Sequence, residues 1–487
     1  MDRLLPATTR GTLSSCHTQS SGCVAAAREF TRRQLLCSGL ASSVATLSAL
    51  PLVSGCRRLL RGSHAPNVLL ITLDTTRADR LGCYGYTRPT SPNIDRLAES
   101  AVVFTNAYTT SSWTLPAHAS LFTGRFPTTH GARFDPDGPL ILTVLKRDGE
   151  QHTQLRAAGL APENDTLAEI LGALGYLTGA VVAGPWLKRV FGLDRGFAHY
   201  DDSEIIQLDG RRASSVTQAA TNWLKEVRRE AKPFFLFLNY FDPHVPYAPH
   251  PPYDRTFLPE QMPASDSQAK YVLDNALYDG EILYMDHHIG ALMDRLRELE
   301  FYDETWIIVT SDHGELLGED GRWGHGRSLY QREVRIPMIV KPPRQGARGQ
   351  RNHEPVQLVD VLPMILAELD LPRPSGVQGG VPPNVGHPLC AEVYPVPAHS
   401  QEGDWRMLVR GRHKLLWGSK GQHLLFDLGN DPREQRNLYD DKRDLAQDMI
   451  SELETFFANL PAPRTSSPLA EVDDDTRRVL EALGYLE

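Results

Sequence analysis

From Ala65 to Leu371 the sequence predicts a large α/β domain, a mixed and mostly parallel sheet covered by helices on both faces, and after it a small C-terminal α+β domain. Three observations predict this. Apolar runs of strand length alternate with segments of helical periodicity, the pattern of βαβ units. The central runs are too uniformly apolar to leave one face of a sheet in water. A Pro-rich stretch from Pro372 to Pro397 then breaks the alternation, and short strand candidates separated by Gly-containing turns follow it.

In chain order, the parallel-strand candidates are Val68 to Leu73, Thr178 to Val182, Phe234 to Asn239, Trp306 to Thr310 and Ile336 to Lys341. Thr166-Leu167-Ala168-Glu169 has capping-box spacing ahead of Ile170, Leu171 and Leu174 and marks a helix start. Tyr278, Ile282, Met285, Ile289, Leu292, Met293, Leu296 and Leu299 recur at three and four residues, so this helix buries one stripe in the core. Residues 372–404 read as a linker or wrapping loop. In residues 405–487, Met407 to Arg410, His413 to Trp417 and His423 to Phe426 read as short antiparallel strands, and Leu445 to Phe457 as a helix. The acidic cluster Glu471 to Asp475 reads as a solvated face.

Composition bounds the function. Hydrophobic residues at 41% and charged residues at 23% are ordinary for a globular chain and exclude a disordered or multi-span membrane protein. Sixty acidic against 51 basic residues leave a net charge of −9 and no long basic run, which excludes nucleic acid as the main ligand. The six Cys, at 16, 23, 37, 56, 83 and 390, lack the paired spacing of structural zinc and are too sparse for a disulfide scaffold. Whether Cys83 and Cys390 pair is open at this point.

Residues 1–56 read as a targeting segment. Arg32-Arg33 precede a stretch without charge from Gln34 to Cys56, which resembles a twin-arginine export signal. Val53-Ser54-Gly55-Cys56 resembles a lipobox, in which Cys56 becomes the lipidated first residue of the mature chain, with residues 57–64 as a basic tether. The expected location is the periplasm or a membrane-anchored lipoprotein of a bacterial envelope.

Three predicted parallel strands end in polar groups: Asp74 after the first, Asp242 and His244 after the third, and Asp312-His313 after the fourth. Carboxyl ends of parallel strands are where α/β sheets gather their sites. Asp74, Asp312 and His313 make a hard, anionic donor set suited to Mg, Mn or Ca rather than to a thiolate zinc site. Each Asp alone reads as readily as a cap of the turn that follows it. Thr114 stands just before Pro116 at a helix start, where free N–H groups and the positive dipole favour an anion, and His118 lies one turn further on.

Several segments together are similar to the sulfatase family. They are Asn67 to Asp74, Cys83-Tyr84-Gly85-Tyr86, Ser91 to Ala98, Leu121 to Gly124, Asp242 to Tyr247, Ser311 to Glu315, Gly324-His325-Gly326, Leu425 to Leu428, Asn430-Asp431-Pro432 and Asn437-Leu438. The resemblance spans residues 65–460 and implies the alkaline-phosphatase superfamily fold, with one divalent metal in a cleft. It implies Asp74, Thr114, Asp312 and His313 around the metal, with Thr114 at the nucleophile position. His313 falls where many sulfatases have Asn and phosphonate monoester hydrolases have His. Arg125 matches a basic position, His244 a substrate-side His, and His325 a position where Lys often contacts substrate.

The chain departs from the family at its centre. Thr114-Leu115-Pro116-Ala117-His118 stands where a Cys or Ser is oxidised to formylglycine within C/S-x-P-x-R, so no formylglycine is expected. Thr75 stands where sulfatases often have another Asp. A formylglycine hydrate sheds sulfate by collapsing to the aldehyde, whereas a modified threonine must be released by water. The resemblance implies an exported hydrolase of sulfuric or phosphoric esters acting on a small-molecule or glycan ester. In it, His118, Arg125, His244 or His325 stabilises equatorial oxygens or protonates the leaving alcohol. Asp242, His244 and His325 are a weaker candidate set for a second metal. The alternatives are an envelope phospho-group transferase, a phosphodiesterase or phosphonate ester hydrolase of the same superfamily, and a catalytically silent binding protein. Joint retention of Asp74, Thr114, Asp312 and His313 argues against silence.

The export reading is testable. Lysine at both Arg32 and Arg33 should leave folded protein inside the cell on fractionation, and mass spectrometry of the wild type should find a lipidated Cys56 at the mature N-terminus. Unchanged export of the double variant would remove the twin-arginine assignment.

Overall fold

The computed structural model describes residues 65–463, apart from 136–137, 139, 145–152, 206–209, 345–348 and 395–402. The expected export segment with Cys56, the expected tether and the acidic cluster 471–475 lie outside the described residues.

Strands of the large domain include β1 (Asn67–Leu73), β2 (Val102–Phe104), β3 (Leu177–Val181), β4 (His199–Asp201), β5 (Phe234–Tyr240), β6 (Thr305–Thr310), the hairpin partners β7 (Leu316–Leu317) and β8 (Trp323–Gly324), β9 (Met338–Lys341) and β10 (Gln350–Asn352). Eight of them form one sheet in the order β10-β2-β9-β6-β1-β5-β3-β4. Pairing is parallel except on either side of β9, which runs antiparallel to β6 and β2. The mixed, mostly parallel sheet expected from the apolar runs is therefore present. All five strand candidates fall within two residues of observed strands. The candidate at Ile336 begins only at Met338, because Pro337 has no N–H for the ladder and its carbonyl instead accepts the Thr310 hydroxyl at 2.8 Å.

Two sets of helices cover this sheet: α1 (Pro92–Ala98), α2 (Thr114–Thr123), α3 (Leu167–Ala173), α4 (Ala213–Val227), α5 (Asp266–Glu298) and α6 (Val361–Glu368). Alternation along β1 divides them. Val68 and Leu70 point into a core shared with α2, α3 and α6, and Leu69, Ile71 and Leu73 into a core shared with α1, α4 and α5. The capping box at Thr166 is formed in both directions, with Glu169 N–H on the Thr166 hydroxyl and Thr166 N–H on the Glu169 carboxylate.

The small domain is a four-stranded antiparallel sheet, β11 (Leu389–Val393), β12 (Trp405–Arg410), β13 (His413–Gly418) and β14 (His423–Asp427), with α7 (Arg443–Asn459) on one face. Residues 372–404 are thus more than the linker expected from their prolines. They supply β11, which pairs with β12 from Leu389 to Val393 and places Cys390 in the core under α7. Cys390 and Cys83 are both free thiols. The other face of this sheet packs Met407, Leu416 and Phe426 against Tyr108, Leu329 and Val334 of the large domain.

A buried ion pair ties the domains at that face. Lys414 Nζ lies 2.6 Å from Glu434 Oε1, while Glu434 Oε2 accepts the Gln331 N–H at 2.6 Å. Burial pushes the Lys414 ammonium down, and Glu434 is the partner that opposes this. Glu434→Ala would leave the ammonium buried without its counter-charge. The expected cost is about 3–5 kcal/mol, read as a lowered urea midpoint. An unchanged midpoint would show that the pair does not hold the domains.

Candidate active site

Parallel registers of β1 with β5 and β6 bring three strand ends side by side: Thr72 stands between Asn239 and Thr310. Asp74 extends β1 by one more ladder bond, its N–H donating to Tyr240 O at 2.8 Å. Thr75 then turns in the left-handed region (φ 50°), costly for a β-branched residue, and so aims its N–H at Asp312 Oδ1 at 3.1 Å. The His313 N–H donates to the same oxygen at 2.8 Å.

Asp74 and Asp312 are fully buried, and each keeps one oxygen unused. Asp74 Oδ1 and Asp312 Oδ2 have no hydrogen-bond partner among the described residues. His313 Nδ1 donates to Gly314 O at 2.9 Å, so the lone pair sits on Nε2, 3.3 Å from Asp312 Oδ2. Donor atoms of these three residues lie within 4.8 Å of one another. Burial, then the facing Asp312 charge, pushes the Asp74 carboxyl well up, and burial also pushes Asp312 up. His313 is pushed down to about 3, first by burial and then by His325. Two anions and a neutral imidazole with free lone pairs at one point fit a divalent cation, which would relieve what burial otherwise penalises.

Thr114 is the first residue of α2, buried, with Oγ1 3.3 Å from His313 Nε2. Its hydroxyl is not used as a cap. The cap position is Trp113, no side chain caps the helix, and Pro116 removes one of the first-turn donors. The start of α2 therefore faces the Asp74, Asp312 and His313 group with a hydroxyl and an uncapped positive dipole.

The other residues singled out from the sequence divide into four placements. His244 and His325 stand at the site: the His325 ring is 4.5 Å from that of His313 and 5.0 Å from that of His244. Burial lowers His244 to about 3 and His325 to about 4. His118 lies behind the site with both ring nitrogens engaged. Its Nδ1 donates to Thr114 O at 2.9 Å, and its Nε2 accepts from the Thr72 hydroxyl at 3.0 Å. Arg125 is not at the site. It follows the C-terminus of α2, about 15 Å of helix rise from Thr114, and its guanidinium contacts Asn164. Asp242 Oδ2 accepts the Ala213 N–H at 2.9 Å at the start of α4, and among the described residues it joins no metal-ligand cluster with His244 and His325.

Two positioning residues were not singled out from the sequence. Asn239 Nδ2 lies 3.2 Å from Thr72 Oγ1 and 3.5 Å from Asp74 Oδ2, and its Oδ1 accepts the Ala183 and Gly184 N–H groups. Thr72 passes that orientation on to His118. Both are polar residues near the ends of otherwise apolar strands, a signal legible once those strands are aligned.

Residues 66–371 match the profile of the Sulfatase family. The uncharacterized sulfatase YidJ of Escherichia coli strain K12 is 27% identical over 427 residues, 78% of this chain and 84% of that protein. Among solved structures, the phosphonate monoester hydrolase of Agrobacterium radiobacter superposes with a TM-score of 0.63 at 20% identity, covering 81% of this chain and 96% of that one. A protein solved in complex with its substrate D-glucosamine-2-N,6-O-disulfate superposes with a TM-score of 0.66 at 19% identity, covering 81% and 98%. These two establish the shared fold. The match over residues 66–371, together with the sulfatase relatives, makes the molecule a hydrolase acting on ester bonds. The chain belongs to the sulfatase family.

Asp312→Asn should abolish binding of a divalent ion as measured by elemental analysis and calorimetry, while circular dichroism stays near wild type. Full metal occupancy in that variant would refute the ligand assignment.

Proposed function

We propose that the protein is an exported, metal-dependent hydrolase of sulfuric or phosphoric esters, with Thr114 as nucleophile and one divalent cation held by Asp74, Asp312 and His313. The observation that carries this reading is the Thr114 hydroxyl, uncommitted as a cap, 3.3 Å from His313 Nε2 and beside two buried carboxylates with unused oxygens. A cation held by Asp74, Asp312 and His313, with Mg, Mn or Ca expected, would supply Lewis acidity that lowers the pKa of the Thr114 hydroxyl.

The chain's own residues do the rest. The uncapped start of α2 favours the anionic group of the ester, and the Asn239, Thr72 and His118 chain fixes the backbone carrying Thr114. Thr114 Oγ1, its proton released to solvent, forms the new bond to sulfur or phosphorus as the ester oxygen leaves with the electron pair, and His244 and His325 border that oxygen. A cavity of about 640 Å3 lined by Arg212, Ser214, Asp242, His244, His250 and Glu281 adjoins the site. Its mixed charges and hydroxyls suit a hydroxyl-rich alcohol, either a small molecule or a glycan. The proposed location is the bacterial envelope, with Cys56 as lipid anchor.

Thr114 itself favours a second reading, hydrolysis of phosphodiesters or phosphonate esters in the same site. Threonine has no aldehyde form to expel the bound group, so water must attack the central atom of the covalent intermediate. Rates on matched nitrophenyl sulfate, phosphate monoester, phosphodiester and phosphonate distinguish the two.

Thr114→Ala should keep its fold and metal content and lose turnover by several orders of magnitude, while Thr114→Ser should retain part of it. Mass spectrometry of quenched reactions should find the modified peptide at Thr114. Near wild-type rates in the alanine variant would sink the nucleophile.

A further inference from the structure

β7 and β8 pair antiparallel, Leu316 with Gly324 and Leu317 with Trp323. One step along the same register, Glu315 stands opposite His325. Both oxygens of the fully buried Glu315 carboxylate lie within reach of His325 Nδ1, at 3.1 and 3.2 Å. The main chain of Glu315 is pinned as well, its carbonyl accepting from Arg77 Nη1 at 3.2 Å. Upstream, a Cβ on Gly314 would lie 2.0 Å from the Arg332 carbonyl oxygen. Glycine there allows a tight turn that sends His313 to the cation-binding group and Glu315, two residues later, to His325.

With Nδ1 held by Glu315, the His325 ring has one orientation and Nε2 is its free nitrogen. No hydrogen bond of the described residues engages Nε2. The ring is packed beside those of His313 and His244, its side chain 13% exposed at the mouth of the site.

We propose that Glu315 is a positioning residue that holds His325 with Nε2 toward the departing oxygen of the ester, so that His325 fills the proton-donor place that the resemblance to sulfatases already implies. This deepens the Thr114 reading and rests on it. Two exchangeable protons belong to the pair, one between Nδ1 and Glu315 and one on Nε2. As Thr114 Oγ1, its own proton already released to solvent, bonds to sulfur or phosphorus, the ester bond breaks. The departing oxygen takes its electron pair and the Nε2 proton, leaving a neutral imidazole with its proton on Nδ1 against the Glu315 carboxylate. The water that later attacks the sulfur or phosphorus bonds to it through oxygen, expels Thr114 Oγ1 with the electron pair of the broken bond, and returns a proton to Nε2.

The test uses the full chain, loaded with metal, and a series of phenyl esters of the anion it hydrolyses fastest, with ring substituents that run from good to poor leaving groups. Glu315→Gln should lower kcat about 10²-fold for the poorest leaving group, leave the activated nitrophenyl ester almost unchanged, and barely move KM. Glu315→Asp should recover part of the loss, and adding His325→Ala to Glu315→Gln should cost no more than His325→Ala alone. An equal loss across the series, or additive losses in the double variant, would overturn the proposal. If Glu315→Gln fails to fold by circular dichroism, His325→Ala decides alone: its deficit must grow as the leaving group worsens. A flat dependence in that active variant defeats the Glu315 and His325 assignment only, whereas absence of turnover by wild type on every ester defeats the Thr114 reading as well.

Discussion

Two carboxylates buried face to face are the constraint around which this molecule is arranged. An ionised carboxylate without a partner is among the most expensive groups to place in a protein interior, and two that share a site repel each other besides. Asp74 and Asp312 each leave an oxygen without a hydrogen-bond partner among the described residues, yet neither is loosely held: Thr75 and His313 N–H groups fix one, and Asn239 borders the other. Rigid placement with unused lone pairs costs stability in the bare protein and creates affinity for a cation.

The parallel sheet makes that placement achievable. Strands β1, β5 and β6 deliver their last residues to the same edge, so Asp74, Asn239 and Asp312 converge without any long side chain having to reach. Around them the histidines are sorted by their hydrogen bonds. His118 is fully committed to backbone and Thr72, His313 leaves Nε2 facing Thr114 and Asp312, and His325 is held through Nδ1. Residues of one type thus take different tasks according to which nitrogen the surrounding chain occupies.

The small domain reaches the site only indirectly. Its sheet packs against Tyr108, Leu329 and Val334, and Glu434 bonds to the turn at Gln331. That turn in turn holds the loop carrying Asp312 and His313, since Gly314 N–H donates to Glu333 O at 2.8 Å. A displacement of the small domain would therefore be felt at His313 and Glu315 through a short run of backbone.

The alternation of apolar runs was enough to predict the sheet, its helical cover and the strand ends carrying Asp74 and Asp312, because burial on both faces imposes a composition that survives in one dimension. Short edge strands such as β4 and β10 carried no such signal, and β11 was hidden among prolines, because three to five residues whose pairing is decided by a neighbour leave little local pattern. The same limit applied in the site. Asp74, Thr114, Asp312 and His313 were legible from strand ends, a helix start and motif order, and the fold brings all four together. What only the tertiary structure decided was direction: Arg125 carried away by the rise of α2, Asp242 drawn to the start of α4, His118 turned inward, and Glu315 set opposite His325 by the register of a two-residue hairpin. Such choices depend on which backbone groups lie across the fold, and no local sequence contains them.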